Sequence, residues 1–516
     1  MTSETPSATR RAMAMALLAA LLGWMFDGFE MGLFPLVARP ALKELMGPEA
    51  IKNIGTWFSA IMAMFLVGAA CGGVLFGWLG DRIGRVRAMV WSVATYAIFS
   101  GLCGFAAAPW HLAVLRFIAS LGMGGEWALG VALVMEVWPS KSRPMLAGLI
   151  GAASNVGFLL IALLGFGLAQ VIEELGATLL AIGIPATMVD PLLANSGWRL
   201  LLFLGALPAV LTFFIRIFVP ESKRWQHAAA GAPKNRIVDI FKGGLARPAI
   251  LGSLLGAIAL LGTWGSVQWI PAWADKLRED ELRAETSACA KQLAAAMPTA
   301  EDSARMARVA DDLARTVPLD QIAPVVTQLA ERLGKAAPAS EAAGRTAQLA
   351  TDLAHRVPKA KAEAKSIAQV SSAVGAIIGC ILGAYFAQWT SRRWGYFTLS
   401  ALSLGTCAYL FRMPMSYGTE FLALVLIVGG LTAAFYGWLP LYLPELFPTR
   451  IRATGQGFAF NAGRVLAAVG TIGAGQLLNA FKEDYAQMCA VISLVYILGV
   501  VFIWFCPETK NRPLPE

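Results

Sequence analysis

The chain has 516 residues, of which 57% are hydrophobic and 15% are charged, and its formal net charge is +9. Such an apolar composition at this length excludes a soluble globular protein, so we expect the lipid bilayer to be its solvent. The positive charge does not indicate nucleic-acid binding, because most Lys and Arg residues lie in short loops beside apolar segments, as in the inner loops of membrane proteins.

Cysteine spacing and nucleotide-binding motifs exclude several other classes. The seven cysteines are scattered singly, and no pair has the CxxC spacing of a zinc site. We therefore expect no disulfide framework, no metal and no cofactor. The motif G-x-x-x-x-G-K-[ST] does not occur, so ATP-driven transport is not indicated.

Twelve segments have the length and apolar composition of membrane spans, each of which requires about 20 residues. They lie near residues 12–37, 55–80, 87–107, 110–138, 144–170, 199–219, 248–273, 367–390, 395–415, 419–443, 453–480 and 485–506. They divide the chain into a six-helix half at 1–219, a polar linker at 220–247, and a second six-helix half at 248–273 and 367–516. Many transporters are built from two such halves.

The Lys and Arg residues indicate the orientation of these spans. The first apolar run follows Arg10 and Arg11 like a secretory signal, but it continues for roughly 25 residues, so we interpret it as a retained helix. With the N-terminus inside, the inner loops hold Arg82, Arg85, Arg87, Lys141, Arg143, Lys223, Arg224, Arg392, Arg393, Arg450, Arg452, Lys510 and Arg512. The positive-inside rule then places both termini in the cytoplasm, with the protein in a plasma or bacterial inner membrane.

Away from their ends, the first and fourth spans contain the ionisable residues Asp27, Glu30, Arg116 and Glu126. Each is expected to face a cavity or a partner, because a charge in the bilayer costs at least a few kcal/mol. At about 1.5 Å per residue, Asp27 and Arg116 lie at one depth, which predicts a pair that separates when the acid binds a proton, or a purely structural pair. Glu30, one turn beyond Asp27, shares that pathway or is wet at the outer interface. Glu126 lies deeper, as a second relay acid or the partner of a neighbouring helix.

Residues 77–87 form a charged hairpin between the second and third spans. Gly77 and Gly84 allow close helix approach and a tight turn, and the single acid, Asp81, lies among three arginines. The segment is either a gate element or a basic loop that only fixes topology.

Residues 274–366, on the outer side between the seventh and eighth spans, are polar and rich in alanine. Prolines recur with a period of 20, at Pro298, Pro318, Pro338 and Pro358. The pattern predicts four 20-residue repeats, each a short amphipathic helix ended by proline. Together they would form an extracytoplasmic helical insertion that binds a partner, acts as a lid, or has no role in transport.

The eleventh span carries Arg464, twelve residues after Arg452 and hence near the bilayer midplane. A guanidinium there suits a substrate carboxylate through paired hydrogen bonds, although a structural role is equally open. Asn461, one turn away, and Tyr436 and Trp438 in the tenth span are candidate substrate contacts, with helix packing as the alternative.

Charged residues at helix ends predict a gate on the cytoplasmic side. The candidates are Gly77, Asp81, Arg82, Gly84, Arg85, Glu136, Arg143, Glu221, Arg224, Glu445, Arg450 and Glu508. Single exposed pairs contribute little, so the prediction rests on the network. The counterpart hairpin, 389–395, keeps its arginines but lacks the acid. We therefore expect a lopsided gate, with Asp81 facing the start of the eleventh helix near Arg452 and Gly455.

Five segments together resemble the major facilitator superfamily, in particular its sugar porter, sialate and metabolite:proton symporter branches. They are 77–87, 116–126, 220–225, 444–455 and 507–510. Phe26-Asp27-Gly28-Phe29-Glu30 resembles the D-G-x-D element of aromatic-acid and sialate symporters, with glutamate as the second acid. The resemblance implies an all-α membrane fold of 12 transmembrane helices, proton coupling at Asp27 and Arg116, and salt bridges between the halves at the inner gate.

These features predict a secondary active transporter, not an enzyme, that carries a small organic anion with protons. A sugar or polyol porter is the alternative, favoured by the segments at 220–225 and 507–510, and a nutrient receptor that does not transport is a remote one. The expected partners are the small-molecule substrate, protons and the lipid bilayer, with no nucleic acid. We expect a monomeric transport unit, in which the insertion is a candidate partner-binding surface.

Overall fold

The computed structural model describes residues 6–47, 54–230, 236–296, 303–304, 307–308 and 341–516. Every regular element in those residues is helical, as the composition predicts. The chain divides into two compact units. The larger contains Met1–Trp269, Val370–Arg412 and Leu424–Glu516, and the smaller contains Ile270–Gln369 and Met413–Ala423.

Helices occupy all twelve segments predicted to span the membrane. In the first half they are α1 (Pro6–Met46), α2 (Ile54–Ile83), α3 (Arg85–Leu102), α4 (Pro109–Val137), α5 (Arg143–Ala181), α6 (Ala186–Leu204) and α7 (Ala209–Phe218), followed by the short α8 (Lys223–Ala229). In the second half they are α9 (Ala246–Gly265), α10 (Ile270–Ala296), α11 (Glu341–Trp389), α12 (Arg392–Arg412), α13 (Thr419–Tyr442), α14 (Arg452–Ala480), α15 (Tyr485–Ser493) and α16 (Val495–Phe502).

Within the described residues, nine helical stretches are long and apolar enough to cross a membrane. A tenth candidate, Ala186–Asn195 with Gly197–Leu211, is bent by 91°. The helices α12 and α14 complete the predicted twelve, but their small and polar residues make them less apolar. The most enclosed span is α4, with 83% of its most apolar window buried, so its charged residues need partners inside the protein.

Glycines allow the helices to touch backbone to backbone. A Cβ on Gly72 of α2 would overlap the carbonyl oxygen of Leu121 in α4, and one on Gly379 of α11 would overlap that of Gly430 in α13. Small residues take this role in membrane proteins because lipid provides no hydrophobic drive between helices. The two halves are therefore each held by close packing of a central helix pair.

Two further glycine contacts join the halves. Gly77 of α2 lies against the backbone of Ala453 in α14, and Gly151 of α5 lies against the backbone of Tyr436 in α13. The two halves therefore touch backbone to backbone along two seams.

The predicted repeat helices are only partly described. The first repeat continues α10, which ends at Ala296, two residues before Pro298. The prediction is wrong for the fourth repeat, because α11 passes through Pro358 and runs on into the eighth span. Of the second repeat only residues 303–304 and 307–308 are described, and they are helical; the third repeat lies outside the described residues. Inside the smaller unit, Lys361 of α11 pairs with Glu279 of α10.

We expect Gly72→Ala to destabilise the protein by about 1–3 kcal/mol, because the new methyl group would force α2 and α4 apart. Alanine in a helix is otherwise favoured over glycine by about 0.5–1 kcal/mol. The control is Gly405→Ala in α12, where an added Cβ meets no atom within 4 Å. Thermal unfolding of the purified protein should show loss for Gly72→Ala alone, and equal midpoints for the two variants would contradict the packing argument.

Candidate functional site

A cavity lies in the middle of the larger unit, lined by helices of both halves. Its lining includes Trp24, Ser154, Asn155, Thr263, Gln268, Tyr436, Phe460 and Arg464. The walls are therefore aromatic and polar, with one cationic group among these side chains. This combination suits a small polar molecule with a flat or apolar part.

The guanidinium of Arg464 faces this cavity. The residue is 4% exposed, and its Nη1 has no hydrogen-bond acceptor among the described residues. Its guanidinium carbon lies 5.3 Å from the ring centre of Phe460, one helical turn earlier. A buried cation without an acceptor costs free energy, so the position favours an arriving anion.

Two carboxyl groups meet beside this cation. Asp27 and Glu126 are buried and lie close enough for their charges to interact. A Cβ on Gly23, one turn before Asp27, would overlap Oε1 of Glu126, so the glycine makes room for the second acid. Neither carboxyl group has a hydrogen-bond donor among the described residues. Two ionised carboxylates in contact repel each other, and a proton between them removes that repulsion.

The predicted pair of Asp27 with Arg116 is wrong, because Arg116 pairs with Glu30. Ser100 Oγ also donates to Glu30, at 2.9 Å, and Phe34 packs against the guanidinium of Arg116. Glu30 is 2% exposed, so the interpretation of a wet residue is also wrong. Depth estimated from helical rise placed Arg116 in the correct layer, but it does not resolve which of two acids one turn apart is the partner.

Two of the four predicted substrate contacts line the cavity and two do not. Tyr436 lines it, with its hydroxyl hydrogen-bonded to Thr263. Asn461 is turned away and donates to the carbonyl of Gly457 at 2.9 Å, where it packs between the halves. Trp438 packs in the second half, and its Nε1 donates to the carbonyl of Arg392 at 3.1 Å. Helix packing is therefore the role that the structure gives to Asn461 and Trp438.

The aromatic wall of the site was missed by the sequence analysis. Phe460 stacks on Trp127 with ring centres 4.0 Å apart, and Trp24 packs edge-on against Phe460 at 6.4 Å. The signal was present, because Trp24 precedes Asp27 by three residues and Phe460 precedes Arg464 by four. Helical periodicity places such residues beside the charges that the sequence analysis singled out.

A second group of charges occupies one end of the bundle, which we call the charged end. Here Asp81 of α2 reaches across to the other half. The backbone N–H groups of Ala453 and Thr454, in the first turn of α14, donate to its carboxylate at 3.2 and 2.7 Å. Arg85 pairs with Asp81 at 2.6 Å. An aspartate at a helix N-terminus is stabilised by the unpaired N–H groups there.

Glu136 of α4 also connects the halves at the charged end. Its Oε1 accepts from Arg85 at 3.0 Å and from Arg452 of α14 at 2.9 Å. All three side chains have no exposed area, so their charges depend on one another.

The second half repeats this arrangement with different residues. Arg392 pairs with Glu445 at 2.8 Å, as Arg85 pairs with Glu136. Arg392 Nη1 donates to Gln388 at 3.2 Å, as Arg85 Nη1 donates to Asp81. The counterpart of Asp81 is therefore Gln388, one residue before the 389–395 segment in which the acid was sought.

In each half, a glutamate after the last span accepts hydrogen bonds from backbone N–H groups at the N-terminus of another helix. Glu221 accepts from the backbone N–H of Arg85 at 2.9 Å, and Glu508 accepts from that of Arg392 at 3.1 Å. Burial raises the pKa of Glu221 above its ordinary value. Burial opposes ionisation of Glu508 as well, but backbone donors, including Lys510 and Arg393, hold its pKa below its ordinary value.

The remaining gate candidates lie around these clusters. Gly84 turns the chain with a φ of 108°, a conformation that favours glycine. Arg82 is exposed, 5.0 Å from the ring centre of Trp78, and lies apart from the buried network. Arg224 and Arg450 are also exposed. Arg143 is buried but forms no ion pair with a described acid within 4.0 Å.

Comparison with known proteins gives one family and several relatives. A family model described as "Sugar (and other) transporter" matches residues 12–235 and 401–516. A probable 4-methylmuconolactone transporter of Cupriavidus pinatubonensis is 26% identical over 96% of this chain and 90% of its own length. A cis,cis-muconate transport protein of Acinetobacter baylyi is 25% identical over 97% of this chain and 95% of its own.

A solved structure supports the fold. The major facilitator superfamily proton:xylose symporter XylE superposes with a TM-score of 0.61 and 16% identity, covering 98% of both chains. At this identity the likeness concerns the fold alone.

We expect Glu30→Gln to destabilise the protein by about 3–5 kcal/mol, because it leaves Arg116 buried without a counter-charge. The control is Glu281→Gln, which removes a partly exposed pair with Arg278 and should cost less than about 1 kcal/mol. Thermal unfolding of the purified variants measures the difference, and a Glu30→Gln loss no larger than that of the control would show that the buried pair does not stabilise the fold.

Proposed function

The chain belongs to the sugar (and other) transporter family, and from this premise we propose that it carries a small organic carboxylate together with protons. Proteins of this family are transporters, so the chain is a multi-pass membrane transporter of the major facilitator superfamily and not an enzyme. We propose the identity of the substrate, the coupling ion and the orientation in the membrane in addition to this family membership.

The observation that carries the substrate assignment is the guanidinium of Arg464 in an aromatic cavity, where its Nη1 has no hydrogen-bond acceptor among the described residues. Guanidinium groups bind carboxylates through two parallel hydrogen bonds. Trp24, Phe460 and Tyr436 offer flat surfaces for a conjugated or aromatic carbon skeleton. The two relatives named for muconate and 4-methylmuconolactone are consistent with a substrate of this kind.

Charge balance supports proton coupling at the same site. When Asp27 and Glu126 share one proton, the pair keeps one negative charge. That charge balances the positive charge of Arg464, on which Asp27 acts most strongly among the neighbouring charged groups. A carboxylate that binds Arg464 then adds a negative charge to a buried space, which is costly unless a proton arrives with it. Protonation of both acids frees Arg464 for the substrate, so anion and proton enter together.

The charged end serves as the inner gate in this proposal. The positive-inside rule places it in the cytoplasm, with both termini there, in a plasma or bacterial inner membrane. Asp81 and Glu136 hold the halves together at that end while the central site is reached from the other side. Loss of these contacts, together with closure of the outer side, completes alternating access.

A sugar or polyol porter remains the second candidate. Asn155 and Gln268 line the cavity and carry the amide donors and acceptors that bind hydroxyl groups, and the family description includes sugars. Counterflow in proteoliposomes with labelled carboxylic acids and labelled hexoses separates the two. Exchange of acids alone supports the proposal, and exchange of hexoses alone contradicts it.

We expect Arg464→Lys to weaken carboxylate counterflow at least about tenfold, because an ammonium group cannot form the paired hydrogen bonds. The control is Arg412→Lys at the exposed end of α12, which should leave counterflow unchanged. Thermal unfolding of the Arg464→Lys protein separates loss of binding from loss of folding. A folded variant with normal carboxylate affinity would exclude Arg464 as the substrate's partner.

We expect Asp27→Asn to abolish accumulation driven by a proton gradient while keeping counterflow, because asparagine cannot bind and release the coupled proton. Asp190→Asn, at an exposed position in α6, is the matched control and should accumulate substrate normally. Uptake into proteoliposomes with an imposed pH gradient measures this. If Asp27→Asn still accumulates substrate against its gradient, Asp27 is not the coupling acid.

A further inference from the structure

A second pocket lies at the charged end, apart from the central cavity, where α5 begins and α11 ends. Its lining consists of Ser140, Lys141, Arg143, Gln388, Arg392, Leu441, Glu445, Asn511, Arg512 and Pro513. Both halves contribute to it. It therefore lies on the seam that must open and close during transport.

The pocket is strongly cationic. Lys141, Arg143, Arg392 and Arg512 face one carboxylate, that of Glu445. That carboxylate is already engaged, because it accepts from Arg392 at 2.8 and 3.0 Å and from Thr509 at 2.6 Å. The charge of the other three cations is therefore left without an acid in the pocket.

Arg143 is the buried cation of this set. It is 6% exposed, and its Nε has no hydrogen-bond acceptor among the described residues. Its counterpart at the start of α14, Arg452, donates to Glu136 at 2.9 Å and to the carbonyl of Pro515 at 2.7 Å. Both arginines follow a proline by four residues and open a long helix. The arginine at this position thus has acceptors for its guanidinium in one half, whereas in the other half its Nε has none among the described residues.

The difference between the halves continues at the acid that closes the seam. Asp81 places its carboxylate on the first turn of α14, which carries Arg452. At the corresponding place Gln388 is neutral, and it faces the pocket that Arg143 lines at the first turn of α5. The seam on this side lacks a negative charge that its counterpart has.

We propose that this pocket binds a small oxyanion of the phosphate type, which supplies the charge that Gln388 does not. Arg143 and Arg512 hold its oxygens, and the first turn of α5 adds the favourable end of a helix dipole. Occupancy ties the start of α5 to the end of α11, as Asp81 ties α2 to α14. The bound anion therefore stabilises the state in which the charged end is closed, independently of which substrate the central site carries.

The test is thermal unfolding of the full-length protein in nanodiscs of neutral lipid, titrated with inorganic phosphate against chloride of equal ionic strength. The wild type should show a saturable rise of its midpoint with phosphate. Arg143→Gln should lose this rise, and Gln388→Glu should lose it because the new carboxylate occupies the place of the anion. Arg87→Gln, which removes an exposed positive charge outside the pocket, should keep it.

Two sources of the anion are separated by a second arm with anionic phospholipid and no phosphate. A midpoint rise that appears only with this lipid, and that Gln388→Glu removes, assigns the pocket to a lipid headgroup. A rise with free phosphate in neutral lipid assigns it to a soluble anion.

The proposal is overturned if neither supply raises the wild-type midpoint, or if Gln388→Glu responds as the wild type does. Should Arg143→Gln fail to fold, Arg512→Gln, at an exposed position, takes its place. Its response must be weaker than that of Arg87→Gln. Because no transported substrate is present in either arm, failure here leaves the carboxylate assignment of the central site unaffected.

Discussion

The carboxylate of Glu136 holds an arginine of its own half and an arginine of the other half at the same oxygen. None of these three side chains reaches solvent, so no water replaces a lost partner while the charged end is closed. Separation of the halves there would leave buried charges unpaired, at a cost of several kcal/mol, unless water enters as the contacts break. The gate proposed for this end would therefore open cooperatively, with water reaching the whole cluster.

The central site follows a different rule from the charged end. At the charged end the buried acids Asp81 and Glu136 have arginine or backbone N–H partners, although single atoms such as Glu136 Oε2 have none within the described part of the chain. In the centre no oxygen of Asp27 or Glu126 has a hydrogen-bond partner among the described residues. Buried charges that lack fixed partners are expensive, and membrane proteins keep them where ions or substrates pass. The contrast distinguishes the charged groups that join the two halves from the central groups that we propose bind a proton or the substrate.

The sequence predicted the architecture well because hydrophobic length and charge placement are properties of single segments. The helical nature of the twelve segments and the position of Asp81 at the start of the eleventh could be predicted in this way. The partners of individual side chains could not be predicted, because they depend on how each helix is rotated about its own axis. The partner of Arg116 was taken as Asp27 instead of Glu30, one turn away, and Asn461 was placed in the cavity although it faces the neighbouring half.

The counterpart of Asp81 in the second half could not be found from the sequence motif either. The absence of an acid from 389–395 was noticed, but its structural counterpart is Gln388, which became clear only from the hydrogen bonds of Arg392. Proline was also overvalued as a helix terminator at Pro358, where the long α11 continues. In the first case the motif was compared one residue away from its structural counterpart. In the second, a local tendency of proline did not decide where the helix ends.

Glu221 and Glu508 each fasten the segment after the last helix of a half to the start of that half's third or equivalent helix. Within each half, the segment after the last helix is thereby tied back to an earlier helix of the same half. The polar linker at 220–247 supplies the first of these contacts, because Glu221 is its second residue. The first residues of the linker therefore belong mechanically to the first half, and a change at Glu221 would release the start of α3 as well as alter the connection between the halves.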